Sequence, residues 1–143
     1  MLNRELGKSI SILHRHRQRY VNQRIREDGL GLAGYNFLLY VQSHSGCCQK
    51  EVCRHFAIDE AQATRKVNQL VQEGYLRREK SGRGYSLFLD RRAEAILPSI
   101  RQLLDDWWGV ILEGLSQEER EQLTAQLSKM AHRALALTEG EEE

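Results

Sequence analysis

The sequence predicts a mainly α-helical chain with one small β-hairpin. Three observations carry that prediction. Apolar residues recur at three-to-four spacing over most of the 143 residues, the period of an amphipathic helix. The period changes to two between residues 75 and 90, on either side of Ser81-Gly82-Arg83-Gly84, as a hairpin requires. Helix-start signals stand at Asp59/Gln62 and Ser116/Glu119, the spacing of a capping box. With 41% hydrophobic residues, 29% charged residues and one proline, Pro98, the composition is that of a globular unit without a flexible linker.

The elements follow in order. Leu6, Ile10, Leu13, Arg17, Tyr20, Val21, Arg24 and Ile25 form the stripe of a first helix from about Leu2 to Glu27, broken by Gly29 and Gly31. A second helix spans Leu32 to Ser43, with Tyr35, Leu38, Leu39 and Gln42 on one side. A short helix from Cys48 to Phe56 buries Val52, Cys53 and Phe56, and a turn at Ala57-Ile58 leads to the next helix at Asp59. That helix stops near Glu73-Gly74, with Ala63, Val67, Leu70 and Val71 inward. Two strands, 75–80 and 85–90, flank a four-residue loop. Asp90 caps a long helix to about Glu113, with a kink expected at Pro98. Gly114 stops it, and a last helix from Ser116 to about Leu137 carries Leu123, Leu127, Met130, Ala134 and Leu137 on its stripe. The acidic end, 139–143, is expected to be disordered.

The net charge of +1 hides a division. Residues 1–92 hold 17 basic side chains against 9 acidic ones, a net of +8, and residues 93–143 have a net of −7. A basic half suggests a polyanionic partner. Within it, the order helix, turn, helix, hairpin is that of a winged helix-turn-helix, in which the second helix enters the major groove. On that helix Ala61, Gln62, Thr64, Arg65 and Asn68 lie off the apolar stripe. Gln62 can pair with adenine and Arg65 with guanine. Thr64 suits a phosphate or a thymine methyl, and Asn68 a base edge or the backbone. The hairpin adds Arg77, Arg78, Lys80 and Arg83. Of these, Arg77, Lys80 and Arg83 are the candidate DNA contacts, with Arg83 at a tip suited to the minor groove.

These residues bring a family resemblance into view. Leu30-Gly31-Leu32-Ala33-Gly34-Tyr35-Asn36-Phe37-Leu38-Leu39 resembles the start of the second helix of MarR-type regulators. Gln49-Lys50-Glu51-Val52 resembles their first helix-turn-helix element, the run from Ile58 to Leu76 their recognition helix and following strand, and Leu115-Ser116-Gln117-Glu118-Glu119 the start of their last helix. The resemblance implies a homodimer through the first, fifth and sixth helices. Residues 1–28 and 91–138 would then be the dimerisation region and 30–90 the DNA-binding region, with Gln49 and Lys50 joining the DNA contacts. It also implies a sequence-specific regulator of a pseudo-palindromic operator, a repressor in most members, released by small aromatic or phenolic acids. The sequence departs from the family at the wing, where the usual Asp-x-Arg signature is absent and Arg83 is the substitute.

Other constellations are weaker. For an anionic effector the basic first helix offers His14 and Arg17, near Tyr35 and Tyr40 of the second helix. Trp107 and Trp108 are expected in the dimer core. Cys48, at a helix start, is the candidate for a thiol-based redox-responsive repressor. A protein-interaction module that keeps the fold without binding DNA is the other alternative. Cys48, Cys53 and His55 match no zinc framework, and no metal or other cofactor is expected. The chain shows no phosphate loop, G-x-S-x-G or H-E-x-x-H pattern, so no enzyme is expected. With no apolar run near ~20 residues and no signal-peptide pattern, a cytoplasmic protein is expected. Three cysteines, two adjacent, do not suggest a disulfide framework.

Overall fold

The structure is a computed structural model that describes residues 1–25, 30–31 and 34–141, with residues 139–141 described by their backbone alone. Among them six helices and one hairpin run in the order α1 Leu2–Arg24, α2 Gly34–Ser43, α3 Gln49–Phe56, α4 Glu60–Gln72, β1 Leu76–Ser81, β2 Gly84–Leu89, α5 Arg91–Ile111 and α6 Gln117–Glu141. Residues 26–27 of the expected first helix, the break at Gly29, the start of the second helix at Leu32-Ala33, and 142–143 lie outside the described residues.

The capping signals do what their spacing requires. Asp59 accepts the Gln62 backbone N–H at 2.7 Å, and the Gln62 side chain accepts that of Asp59 at 3.4 Å. Ser116 and Glu119 make the same reciprocal pair at 3.0 and 3.1 Å. Each box satisfies two helix donors that would otherwise lack partners. Asp59→Ala is expected to cost about 1 kcal/mol of stability, read as a lower urea midpoint at unchanged slope. No shift in midpoint would contradict the cap.

The core joins α1 to α5 through Val21, Leu38, Val52, Val67, Leu70, Tyr75, Leu87, Leu97 and Ile100, all nearly inaccessible to solvent. α2 is surrounded, burying Gly34, Tyr35, Phe37, Leu38 and Val41. The expected single stripe was therefore too narrow. Phe37 and Val41 are inside, whereas Gln42 is exposed and accepts a hydrogen bond from Arg101 of α5 at 3.1 Å. A helix that is apolar nearly all round sits within the protein rather than on its surface.

The hairpin also differs from expectation. Ser81 pairs with Gly84, so the loop is the two residues Gly82-Arg83 rather than four. Gly82 at φ +59 supplies the left-handed conformation that a tight, strand-matched turn needs. The chain ahead of α3 joins the sheet: Gly46 donates to Leu87, and Leu87 donates to Cys47 at 2.8 Å. No local sequence signal marks this bridge.

α5 runs through Pro98 as expected, and the proline lies on the exposed side, where water can satisfy the Glu94 carbonyl that it leaves without a donor. One further difference concerns the C-terminal end. α6 continues to Glu141, so residues 139–141 of the expected disordered tail are helical.

The end helices contribute little to this core. α1 buries only Val21, and no described side chain of α6 is buried. Their apolar stripes face outward instead. Leu6, Ile10 and Leu13 on α1, Val110 and Ile111 on α5, and Leu123, Leu127 and Met130 on α6 are between 38% and 69% exposed. Trp107 is already buried within the chain, leaving Trp108 half-buried beside this surface.

Candidate nucleic-acid interface

α3 and α4 are joined by Ala57-Ile58-Asp59. The Ile58 N–H returns to the Cys53 carbonyl at 3.1 Å, and Ala57 takes a left-handed φ of +52. This tight turn sets α4 across α3. Ala63, Val67 and Leu70 point into the core, and Ala61, Gln62, Thr64, Arg65 and Asn68 are exposed, as the periodicity predicts. Lys66 leaves the exposed face. Its half-buried ammonium donates to the Leu30 carbonyl at 2.5 Å, tying α4 to the segment ahead of α2, and burial pushes its pKa down.

The exposed face is linked to its neighbours by two further bonds. Gln49 at the start of α3 donates to the Thr64 hydroxyl at 2.7 Å, so part of its hydrogen-bonding capacity is spent between helices. Lys50 beside it is exposed. Arg78 of β1 donates to Oδ1 of Asn68 at 2.8 Å and ties the wing to α4. Gln62 is exposed, but its side-chain oxygen is engaged in the capping box.

The register separates the wing arginines. Leu76, Arg78 and Lys80 share one face of the hairpin with Tyr85, Leu87 and Leu89; Arg77 and Glu79 share the other with Ser86 and Phe88. The first face holds the buried Leu76 and Leu87 and so turns towards α4. Arg77 lies 4.7 Å from the Phe88 ring and is paired with Glu79. Thus Arg78, absent from the expected contacts, is brought to α4, and Arg77 is not. Arg83 stands exposed at the turn, next to Gly82.

A second feature lies between α1 and helices α2 and α3. His14 and Arg17 of α1, with Asn36, Leu39, Tyr40, His55 and Phe56, line a cleft of about 390 Å³. Tyr40 stacks on His44 at 4.2 Å and lies 4.4 Å from His55. Burial lowers the pKa of His14, with Arg17 and Arg15 adding to the effect; burial and His44 do the same for His55. Of the four expected effector residues, His14, Arg17 and Tyr40 line the cleft. Tyr35 lies behind it, fully buried. Burial pushes the pKa of its hydroxyl up, against the opposing effect of the nearby Arg17 and Asn36 side chains.

The cysteines offer little nucleophilic chemistry. Cys47 is buried, and burial with the nearby Glu51 pushes its thiol up to about 11. Burial also raises Cys53, whose Sγ lies 4.0 Å from the Asp59 carbonyl. Cys48 is half-buried, and its thiol donates to the Glu51 carboxylate at 3.6 Å. Among the described residues no cluster of three or more His, Cys, Asp or Glu could hold a metal ion, and no helix is long and apolar enough to cross a membrane.

Comparison with known proteins agrees with this geometry. Residues 28–84 match the model of the MarR family. An HTH-type transcriptional regulator, BilQ, of Clostridium symbiosum is 29% identical over 114 residues, which cover 78% of this chain and 79% of that one. The crystal structure of a MarR transcriptional regulator from Methanosarcina mazei Go1 superposes with a TM-score of 0.85 at 26% identity, covering 95% of this chain and 99% of that one. A MarR family regulator from Listeria monocytogenes, solved with 26mer DNA, shares the fold at a TM-score of 0.82 and 20% identity, over 90% and 88% of the two chains. The chain thus matches the MarR family model over residues 28–84, and along nearly its whole length it is similar in fold to solved winged helix-turn-helix regulators of the MarR type.

Proposed function

We propose that this regulator is a homodimeric repressor that holds a pseudo-palindromic operator and is released by a small anionic aromatic ligand. One observation carries the DNA contact: the exposed polar face of α4 and the Arg78 face of the wing meet through the Asn68 bond and form one surface. Gln62, Thr64, Arg65 and Asn68 would enter the major groove, with Ala61 giving the backbone room to approach. Lys50, Lys80 and Arg83 would hold phosphates or the minor groove. Gln49 would act mainly by fixing Thr64, and Arg77 would remain paired with Glu79. Residues 1–28 and 91–138 form the dimerisation region in this reading and 30–90 the reading head. The supporting observation is the set of outward apolar residues of α1, α5 and α6, which share two recesses around Trp108 and Leu127.

Binding to selected duplexes should fall by roughly 10³–10⁵ between 50 and 200 mM salt if 6–10 phosphates are neutralised. Arg65→Ala should cost about 1–3 kcal/mol and relax preference at one base position. Lys80→Ala should weaken all sequences alike and reduce the salt slope by about one. If both variants bind every sequence as the parent does, the assignment of the reading head is wrong. Absence of duplex binding at low salt would favour an interaction module.

The cleft between α1 and the head supports the ligand reading. Its cationic Arg17, the Tyr40 ring and a lining of imidazoles suit a flat carboxylate. Because His14 and His55 are held below their usual pKa, both are neutral at pH 7. An anion between them favours the imidazolium forms, so binding takes up protons and tightens as pH falls from 7.5 to 5.5. Titration calorimetry with benzoate should show this slope, reduced in His14→Gln; affinity that is flat or falls towards acid pH would contradict it. The thiol reading is not preferred, because its candidate, Cys48, is half-buried and its thiol donates to the Glu51 carboxylate rather than facing a cationic group.

A further inference from the structure

Among the exposed amides of the recognition helix, Gln62 and Asn68 have their oxygens bonded within the protein, Gln62 to the helix cap and Asn68 to the wing. Oε1 of Gln62 accepts the Asp59 backbone N–H at 3.4 Å. Oδ1 of Asn68 accepts Nη1 of Arg78 at 2.8 Å. A backbone N–H and a guanidinium can only donate, so only an amide oxygen can answer them; which end of each amide is which is fixed by its partner. Arg78 is itself steadied, its guanidinium lying 5.6 Å from the Tyr85 ring on the same hairpin face. In a planar amide the NH₂ group lies across from the oxygen. With one lone pair of each oxygen taken by the cap or the wing, the NH₂ group is the more open end of each amide.

The geometry points to a recognition helix that reads acceptor edges. Adenine recognition by an amide uses its oxygen and its NH₂ together, on N6–H and N7. The bonds to Asp59 and Arg78 each take one of the two lone pairs of the oxygen and compete with that use. Guanine presents N7 and O6, both acceptors, and answers the NH₂ group without drawing on the oxygen. Gln62 and Asn68 therefore favour G·C pairs, and Arg78 is a positioning residue that sets base preference by acting through Asn68. This inference rests on α4 being the DNA-reading helix and names what it reads.

The test is selection of bound duplexes from a random pool with the full-length protein and its Gln62→Ala, Asn68→Ala, Arg78→Met and Arg78→Lys variants, each checked for unchanged thermal unfolding. The positions whose preference relaxes in Gln62→Ala and Asn68→Ala should be G·C in the parent motif, by about tenfold over A·T. Arg78→Met should erase or reverse that preference at the Asn68 position alone, while Arg78→Lys, still a donor, should keep it. A parent motif with A·T at either position would overturn the proposal. So would an Asn68→Ala motif that relaxes nowhere, or a uniform loss of affinity in Arg78→Met with G·C preference intact. If Arg78→Met does not fold, the same question is put with 7-deazaguanine at the Asn68 position. It should weaken the parent about tenfold and leave Asn68→Ala unchanged; equal effects on both would overturn the proposal. Failure of the parent to enrich any duplex would instead strike the DNA-binding reading itself.

Discussion

Replacing Leu127 with Asp is expected to give a folded monomer that binds its operator about 10²–10⁴-fold more weakly than the parent. Leu127 is 42% exposed and lines two apolar recesses. One is formed with Ile10, Leu13 and Trp108, the other with Leu112, Leu123 and Ala131. A carboxylate there would have to be desolvated in any dimer that covers this surface. The fold itself should tolerate the change, because α6 buries no described side chain in the core of its own chain. Without a partner, the second half-site is no longer bound intramolecularly, and the avidity of two reading heads is lost. Sedimentation should report the monomer, and a mobility-shift titration the weaker binding. A dimer that persists, or affinity that does not change, would remove α6 from the interface.

The second large effect lies inside the reading head. Leu70→Ala is expected to lower stability by about 2–5 kcal/mol and Tm by roughly 10 °C. Leu70 is wholly inaccessible and belongs to the core shared by α4, α2 and α5, so truncation leaves a cavity that rigid neighbours cannot fill. Gln69, the preceding residue, is exposed, and Gln69→Ala should stay within about 0.5 kcal/mol. Chemical denaturation of the two variants side by side measures the inward phase of α4. Equal midpoints would mean that the helix is rotated from the orientation drawn here.

Much of this architecture is legible in the chain because its signals are local. The Asp59 and Ser116 boxes fix two helix starts within a residue, and the stripe Ala63, Val67, Leu70 assigns the face of α4 by spacing alone. What escaped depends on contacts between elements. The full burial of α2 follows from neighbours that the chain brings to it later, and the bridge between Cys47 and Leu87 spans forty residues. The wing shows a subtler loss. A strand alternates faces every residue, so Arg77 and Lys80 cannot share one, and a shift in phase exchanges Arg77 for Arg78. Basic character was readable there; which arginine meets Asn68 required the register. The amides follow the same rule. Gln62 and Asn68 can each pair with adenine as free side chains, and their bonds to Asp59 and Arg78 are what narrow the choice.

In the proposed function, two copies of this chain place two α4 helices on one palindrome. The most direct measurement is the motif recovered by selection of bound duplexes, read together with its footprint. The expected result is an inverted repeat whose half-site centres lie about 10–10.5 base pairs apart, one helical turn, protected as a unit. A single, unrepeated half-site, or no enriched sequence at low salt, would contradict it.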